Sequence, residues 1–199
     1  MFSLSAFTTA FVVIFVAELP DKTALATLLL ATKYRARDVI LGAGLAFLVQ
    51  TLVAIAAGGL LTLLPEGPVR IASGVGFLIF AGLAIWQREE DAEKEEAAAI
   101  RQRKAVRPAW LLSFLVVFAA EWGDLTQLAT AALAGQTGQP LSVGIGATLA
   151  LWLVTLLAAF GGKGLAGKIR PALLKAIGAV LFAVIGTYLI VTGLWPGLL

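Results

Sequence analysis

Six stretches of this chain are apolar over the length a helix needs to cross a bilayer: roughly residues 4–31, 39–64, 69–87, 109–134, 141–161 and 172–195. A hydrocarbon core about 30 Å thick takes about 20 residues at a rise of about 1.5 Å each. Water is absent there, so the backbone must satisfy its own polar groups, and only helices or closed barrels can cross. These runs are rich in leucine and alanine and lack the alternation of barrel strands. The expected fold is an all-α polytopic membrane protein with six transmembrane helices. The 60% hydrophobic content of the 199 residues fits this reading, since soluble domains are nearer half apolar. The first run follows no basic segment and carries an acidic motif, so it is expected to stay as a helix rather than be removed as a leader.

Two of the runs are interrupted by charge. Glu-x-x-Asp-x-Thr occurs as Glu18-Leu19-Pro20-Asp21-Lys22-Thr23 and again as Glu121-Trp122-Gly123-Asp124-Leu125-Thr126. An ionised side chain at membrane depth costs several kcal/mol, so such residues face a bundle interior or cavity and mark a function. Glu and Asp three positions apart share one helix face, so each pair can point into the same space. Glu121 falls about 15 Å along its helix, near the middle of the core. Pro20 has no amide hydrogen and Gly123 loosens its helix, so both helices are expected to kink or break here and free carbonyl oxygens.

The two motifs belong to a longer duplication. Residues 11–27 align with 114–130 without a gap, and ten of the seventeen positions are identical. At an offset of 102, Gly42 and Gly44 meet Gly144 and Gly146, and Gly76 and Phe80 meet Gly178 and Phe182. Each copy holds three helices, an odd number, so the second copy enters the membrane from the opposite side. The expected architecture is two inverted three-helix repeats, residues 1–87 and 109–199, joined by a charged cytoplasmic linker at 88–108. Gly/Pro-interrupted helices at corresponding positions of inverted halves point to a transporter's midplane site.

Charge sets the orientation. Of the fifteen Lys and Arg residues, thirteen fall in three connections on one side: Lys33, Arg35 and Arg37; Arg88, Lys94, Arg101, Arg103, Lys104 and Arg107; and Lys163, Lys168, Arg170 and Lys175. Arg70 alone marks the other side, and Lys22 lies within the first motif. By the positive-inside rule those connections are cytoplasmic and both termini face outward. The net charge of +3 carries no implication of nucleic-acid binding; the expected surroundings are the lipid bilayer, and a homo-oligomer is compatible with the sequence.

Cysteine and histidine are absent, which removes thiolate and imidazole metal sites and the usual nucleophile and base. The carboxylates of Glu18, Asp21, Glu121 and Asp124, the hydroxyls of Thr23 and Thr126, the Gln127 amide and freed carbonyls form an all-oxygen donor set suited to hard cations such as Mn²⁺ or Ca²⁺. Four acids gathered in a low dielectric cannot all stay ionised when the site is empty, so a divalent cation enters by displacing protons. Cation in one direction and protons in the other follow from that balance, with no cofactor beyond the transported ion. Lys22 is matched by Leu125 and Gln127 by Ala24, so the half-sites are not equivalent; Lys22 either pairs with an acid internally and tunes its charge, the favoured reading, or snorkels toward an interface.

With these residues in place the chain resembles the Gdt-type cation exchanger family, membrane proteins whose two halves each carry Glu-x-Gly-Asp-Lys/Arg-Thr/Ser. The likeness covers all six helices. It implies export of Mn²⁺ or Ca²⁺ from the cytoplasm in exchange for protons, with Glu18, Asp21, Glu121 and Asp124 as ligands and Thr23 and Thr126 in the hydroxyl places. A bacterial member in the inner membrane, with Mn²⁺ as the preferred ion, is the reading it favours. Pro20 in place of the first motif's glycine and Leu125 in place of the second motif's basic residue depart from the pattern. The rival readings are an intramembrane aspartyl-type hydrolase, suggested by Trp122-Gly123-Asp124 but lacking the first glycine of that signature, and a passive cation channel.

Overall fold

The computed structural model describes residues 2–18, 22–86, 108–166 and 171–195. Among these residues all regular structure is helical: α1 Leu4–Glu18, α2 Lys22–Lys33, α3 Ala36–Leu61, α4 Glu66–Trp86, α5 Ala109–Ala120, α6 Leu125–Thr137, α7 Pro140–Ala166 and α8 Pro171–Leu194. Both α7 and α8 begin on proline, whose fixed φ and missing amide hydrogen suit a first helical position. At the end of α6 the chain leaves through Gly138 at φ 61°, the left-handed conformation that glycine adopts without a Cβ clash.

Four helices carry segments long and apolar enough to cross a membrane alone: Ala36–Leu61, Glu66–Leu83, Pro140–Phe160 and Ala176–Leu194. A fifth crossing is supplied if α5 and α6, bent by 71° at their junction, count as one broken span. The sixth expected span, 4–31, is divided between α1 and α2; α1 alone is a shorter apolar helix, and residues 19–21 lie outside the described residues. Helices α3 and α4 start three residues before the expected apolar runs because Asp38 and Glu66 occupy their first turns, where the helix dipole favours acids. The charged linker 88–108 lies, except for Pro108, outside the described residues.

The lipid-facing design is visible in α3. Leu41, Leu45, Leu48, Val49 and Leu52 are exposed, while Val39, Ala43, Ala46, Phe47, Gln50 and Ala54 are buried. Apart from Val39 and Phe47 the buried residues are small or polar and the exposed ones are large aliphatics, as suits a helix whose solvent is hydrocarbon and whose neighbours approach through small side chains.

Three helix pairs dominate the packing: α4 with α8, α1 with α7, and α3 with α5. Ser3 N donates to Ser142 Oγ at 2.9 Å and Gly146 meets Phe7, Ala10 and Phe11, so α1 runs parallel to α7. In the same way Gly42 meets Trp110, Ser113 and Phe114 and Gln50 reaches Phe118, so α5 runs parallel to α3. Helices α3 and α7 are antiparallel, with Gly44 against Trp152 and Gly144 against Thr51 and Ile55. Gly67 lies against Gly193 and Gly74 against Gly186, which makes α4 and α8 antiparallel. Their core contact is a cluster of Phe77, Phe80 and Phe182, with centroids 5.7 to 6.1 Å apart.

One sequence pairing is altered by this packing. The offset of 102 sets Gly42 opposite Gly144, whereas the tight crossings are made by Gly42 on α5 and Gly146 on α1. The three residues met by Gly42 are those met by Gly146 moved on by 103 positions, so these two glycines hold equivalent places. A crossing point is chosen by where two backbones come closest, and a repeat's internal register need not preserve it.

Candidate metal centre

The site is built around the break between α5 and α6. The last helical bond of α5 runs from Glu121 N to Val117 O at 3.0 Å. Glu121 itself sits at φ −96°, ψ 2°, off the helical path, and Asp124 N closes a turn onto Glu121 O at 3.2 Å. Gly123 takes φ +76°, a conformation strained for any residue with a Cβ. Asp124 then extends to ψ 166° and caps α6, its side chain accepting from Thr126 N. Across this turn α5 and α6 are bent by 71°.

Three carboxylates converge there. Glu18, the last residue of α1, is fully buried, Glu121 is 2% exposed, and Asp124 is half-buried. One oxygen from each lies within 4.8 Å of the other two. Oxygens on opposite sides of a divalent cation coordinated at about 2.4 Å lie about 4.8 Å apart, so the three are close enough to hold one ion with at most a small inward shift. Helices α1 and α5 both end at the cluster, and the negative ends of their dipoles add to its attraction for a cation.

The other sequence-predicted residues take several roles. Thr126 donates its hydroxyl to Asp124 Oδ2 at 3.3 Å, the oxygen that also accepts from Thr126 N at 3.3 Å. Gln127 Oε1 accepts from Gly123 N at 2.7 Å and its Nε2 donates to Gln50 O at 3.4 Å. Its side chain therefore braces the turn. Lys22 and Thr23 open α2, while Pro20 and Asp21 lie outside the described residues. One turn beyond Thr126, Thr130 donates to Thr126 O at 2.7 Å; its counterpart Thr27 is 1% exposed, with no hydrogen-bond partner for its hydroxyl among the described residues.

Sequence reasoning passed over Gln50. Buried in the middle of α3, it donates from Nε2 to Phe118 O at 2.9 Å, a carbonyl that the break deprives of its helical amide. The signal was present: Gln50 and Thr51 are the only polar side chains between Asp38 and Thr62, and polar residues at membrane depth mark function.

The family model described as "Divalent cation/proton antiporter GDT1" matches this chain over residues 6–92 and 109–195. Among curated relatives, the GDT1-like protein sll0615 of Synechocystis is 35% identical over 193 residues, covering 90% of this chain and 93% of that protein. The chloroplastic GDT1-like protein 2 of rice, Oryza sativa subsp. japonica, is 34% identical over 92% of this chain and 60% of its own length. The chloroplastic PAM71-homolog of Arabidopsis thaliana is 32% identical over 90% of this chain and 57% of its own length. The chain thus spans nearly all of the first relative and under two thirds of the two plant proteins. No solved structure matches. The family is one of transporters and not of enzymes, which sets the hydrolase reading aside. With both halves matched by the family's model, the chain is a multi-pass membrane protein that belongs to the GDT1 family of divalent cation/proton antiporters.

Proposed function

We propose that this protein moves Mn²⁺ or Ca²⁺ out of the cytoplasm in exchange for protons, at a single site shared by the two Glu-x-x-Asp-x-Thr motifs. The observation that carries the reading is the meeting of Glu18, Glu121 and Asp124 within 4.8 Å. Glu18 comes from the other motif, 103 positions before Glu121, and Glu18 and Glu121 are withdrawn from solvent. Asp21, Thr23, Thr126 and Gln127 complete the oxygen donors of the proposed site, with Lys22 tuning its charge. Carboxylates bind either protons or a hard dication, so a cation arriving at the shared cluster displaces protons from it. Hard oxygen donors suit Mn²⁺ and Ca²⁺ alike; Mn²⁺ is the ion this reading favours.

Transport follows from the two halves as inverted repeats, 1–87 and 109–199. The family model matches two stretches of equal length, 6–92 and 109–195. Helix α1 packs on α7 as α5 packs on α3, an exchange of first and second helices between halves. Two pairs of counterparts also meet each other: Glu18 with Glu121 and Phe80 with Phe182. In a twofold arrangement only residues near the axis touch their own counterparts, so these pairs support an axis through the acid cluster and the α4–α8 core. Rocking one half against the other around that axis exposes the cluster to each side in turn. The basic connections face the cytoplasm and both termini face outward, in a bacterial inner membrane.

The test is uptake of Mn²⁺ and Ca²⁺ into proteoliposomes with and without an imposed pH gradient. The reading expects uphill cation movement that collapses with the gradient and is absent from Glu18→Gln. Movement only down the cation's own gradient would make the protein a channel and overturn exchange.

A further inference from the structure

We propose that Gln50 is a specificity-determining positioning residue, which holds the Glu121–Asp124 break in one geometry and so sets how the site discriminates between small and large divalent cations. The inference rests on reading Glu18, Glu121 and Asp124 as the cation site.

Gln50 fastens the break at both sides. Its Nε2 donates to Phe118 O at 2.9 Å, before the turn. Its backbone oxygen accepts from Gln127 Nε2 at 3.4 Å, and Gln127 Oε1 accepts from Gly123 N at 2.7 Å, inside the turn. Glu121 lies between these two points of attachment and Asp124 follows the second. A closed circuit thus runs from α3 through Phe118, Glu121, Gly123 and Gln127 back to α3. Gln50 is 4% exposed, and losing its side chain leaves the part-buried Phe118 carbonyl without its donor.

The other half has no such brace at the corresponding positions. Ala24 stands where Gln127 does, and Val154, which lies eight residues past Gly146 as Gln50 lies eight past Gly42, carries no amide. The amide side chains that close the circuit around Glu121 and Asp124 are thus not repeated in the sequence of the other half.

Rigidity is what separates the two candidate ions. Ca²⁺ takes six to eight oxygens at about 2.3–2.6 Å in flexible geometry, whereas smaller divalent ions demand shorter bonds and a near-octahedral set. A turn held by Gln50 keeps Glu121 and Asp124 at a fixed spacing; a turn set free can open to fit the larger ion. Loss of the Gln50 amide is therefore expected to shift preference toward Ca²⁺, whichever ion the unaltered protein favours.

The experiment measures half-saturating Mn²⁺ and Ca²⁺ concentrations for gradient-driven uptake by the full chain in proteoliposomes. It compares the unaltered protein with Gln50→Met, of equal length without a donor, and Gln50→Asn, which keeps a shorter amide. Outer-shell partners of metal ligands typically change affinity by about 10–100-fold when removed. The expected result is about a tenfold fall in Mn²⁺ preference over Ca²⁺ for Gln50→Met, with the maximal Ca²⁺ rate within about threefold, and an intermediate ratio for Gln50→Asn. An equal rise for both ions, leaving the ratio unchanged, overturns the proposal and leaves Gln50 a purely structural residue. Should Gln50→Met fail to fold, an unchanged ratio in Gln50→Asn overturns it equally. A failure of the unaltered protein to move either ion would instead sink the site reading itself.

Discussion

Around Glu121 the chain turns on Gly123, and Gln127 and Gln50 secure the two sides of that turn; in the sequence around Glu18 the corresponding residues are Pro20, Ala24 and, on α7, Val154. Both halves keep the two acids and the threonine, yet the residue before each aspartate differs, proline in one and glycine in the other. Glycine permits a left-handed residue that ends α5, whereas proline removes the amide hydrogen that a continuing helix needs. The acidic and hydroxyl residues are alike in the two motifs while the residues around them differ. Residues that touch an ion are constrained by the ion; residues that hold the backbone are free to solve the same problem differently.

The largest expected effect tests whether the two halves serve one site. Glu18→Gln and Glu121→Gln should each reduce gradient-driven cation uptake about a hundredfold or more, because each removes a charge from a cluster closed to solvent. The double variant should be scarcely worse than either. Additive partial losses would mean two separate sites. A smaller effect is expected at the turn: Gly123→Ala places a Cβ at φ +76°, a strain of about 1–2 kcal/mol. Thermal unfolding in detergent should show it as a lowered midpoint, along with weakened cation affinity. No change in either would mean the turn relaxes freely.

Next come the interlocking crossings. A Cβ at Gly42 would run into Trp110 O and one at Gly146 into Phe7 O, while at Gly82 it would meet nothing within 4 Å. Gly42→Ala and Gly146→Ala should lose stability by similar amounts, about 1–3 kcal/mol, with Gly82→Ala close to neutral. Unequal losses at the first two would break the equivalence of the α3–α5 and α1–α7 crossings. The smallest effect belongs to Arg70→Gln. Its bond to Glu66, 3.2 Å long between exposed groups, should change stability by less than about 0.5 kcal/mol.

The helices were readable because hydrocarbon imposes length and apolarity on every crossing, so α3, α4, α7 and α8 fall within a few residues of their expected spans. The acids were readable because charge at that depth needs a reason. The break at Gly123 followed from the same logic, since glycine and proline interrupt helices by known means. Gln50 was harder to see: its partner is 68 residues away in sequence, and a hydrogen bond between helices leaves no local pattern. The role of Gln127 as a brace on Gly123 was hidden for a related reason. From the sequence its amide is one more oxygen near the acids; only the backbone's turn gives it a nearer partner. The paired roles of Gly42 and Gly146 depend on how two helices cross, which the repeat's register does not encode.

The most direct test of the central claim is a count of protons released as the cation binds. Calorimetric titration of the purified protein with Mn²⁺ and with Ca²⁺, in buffers of different ionisation enthalpy, gives that count without any transport step. One shared cluster that exchanges a dication for protons predicts release of at least one proton per ion bound, with both binding and release lost in Glu121→Gln. Tight binding with no proton release, or binding untouched by Glu121→Gln, would contradict it.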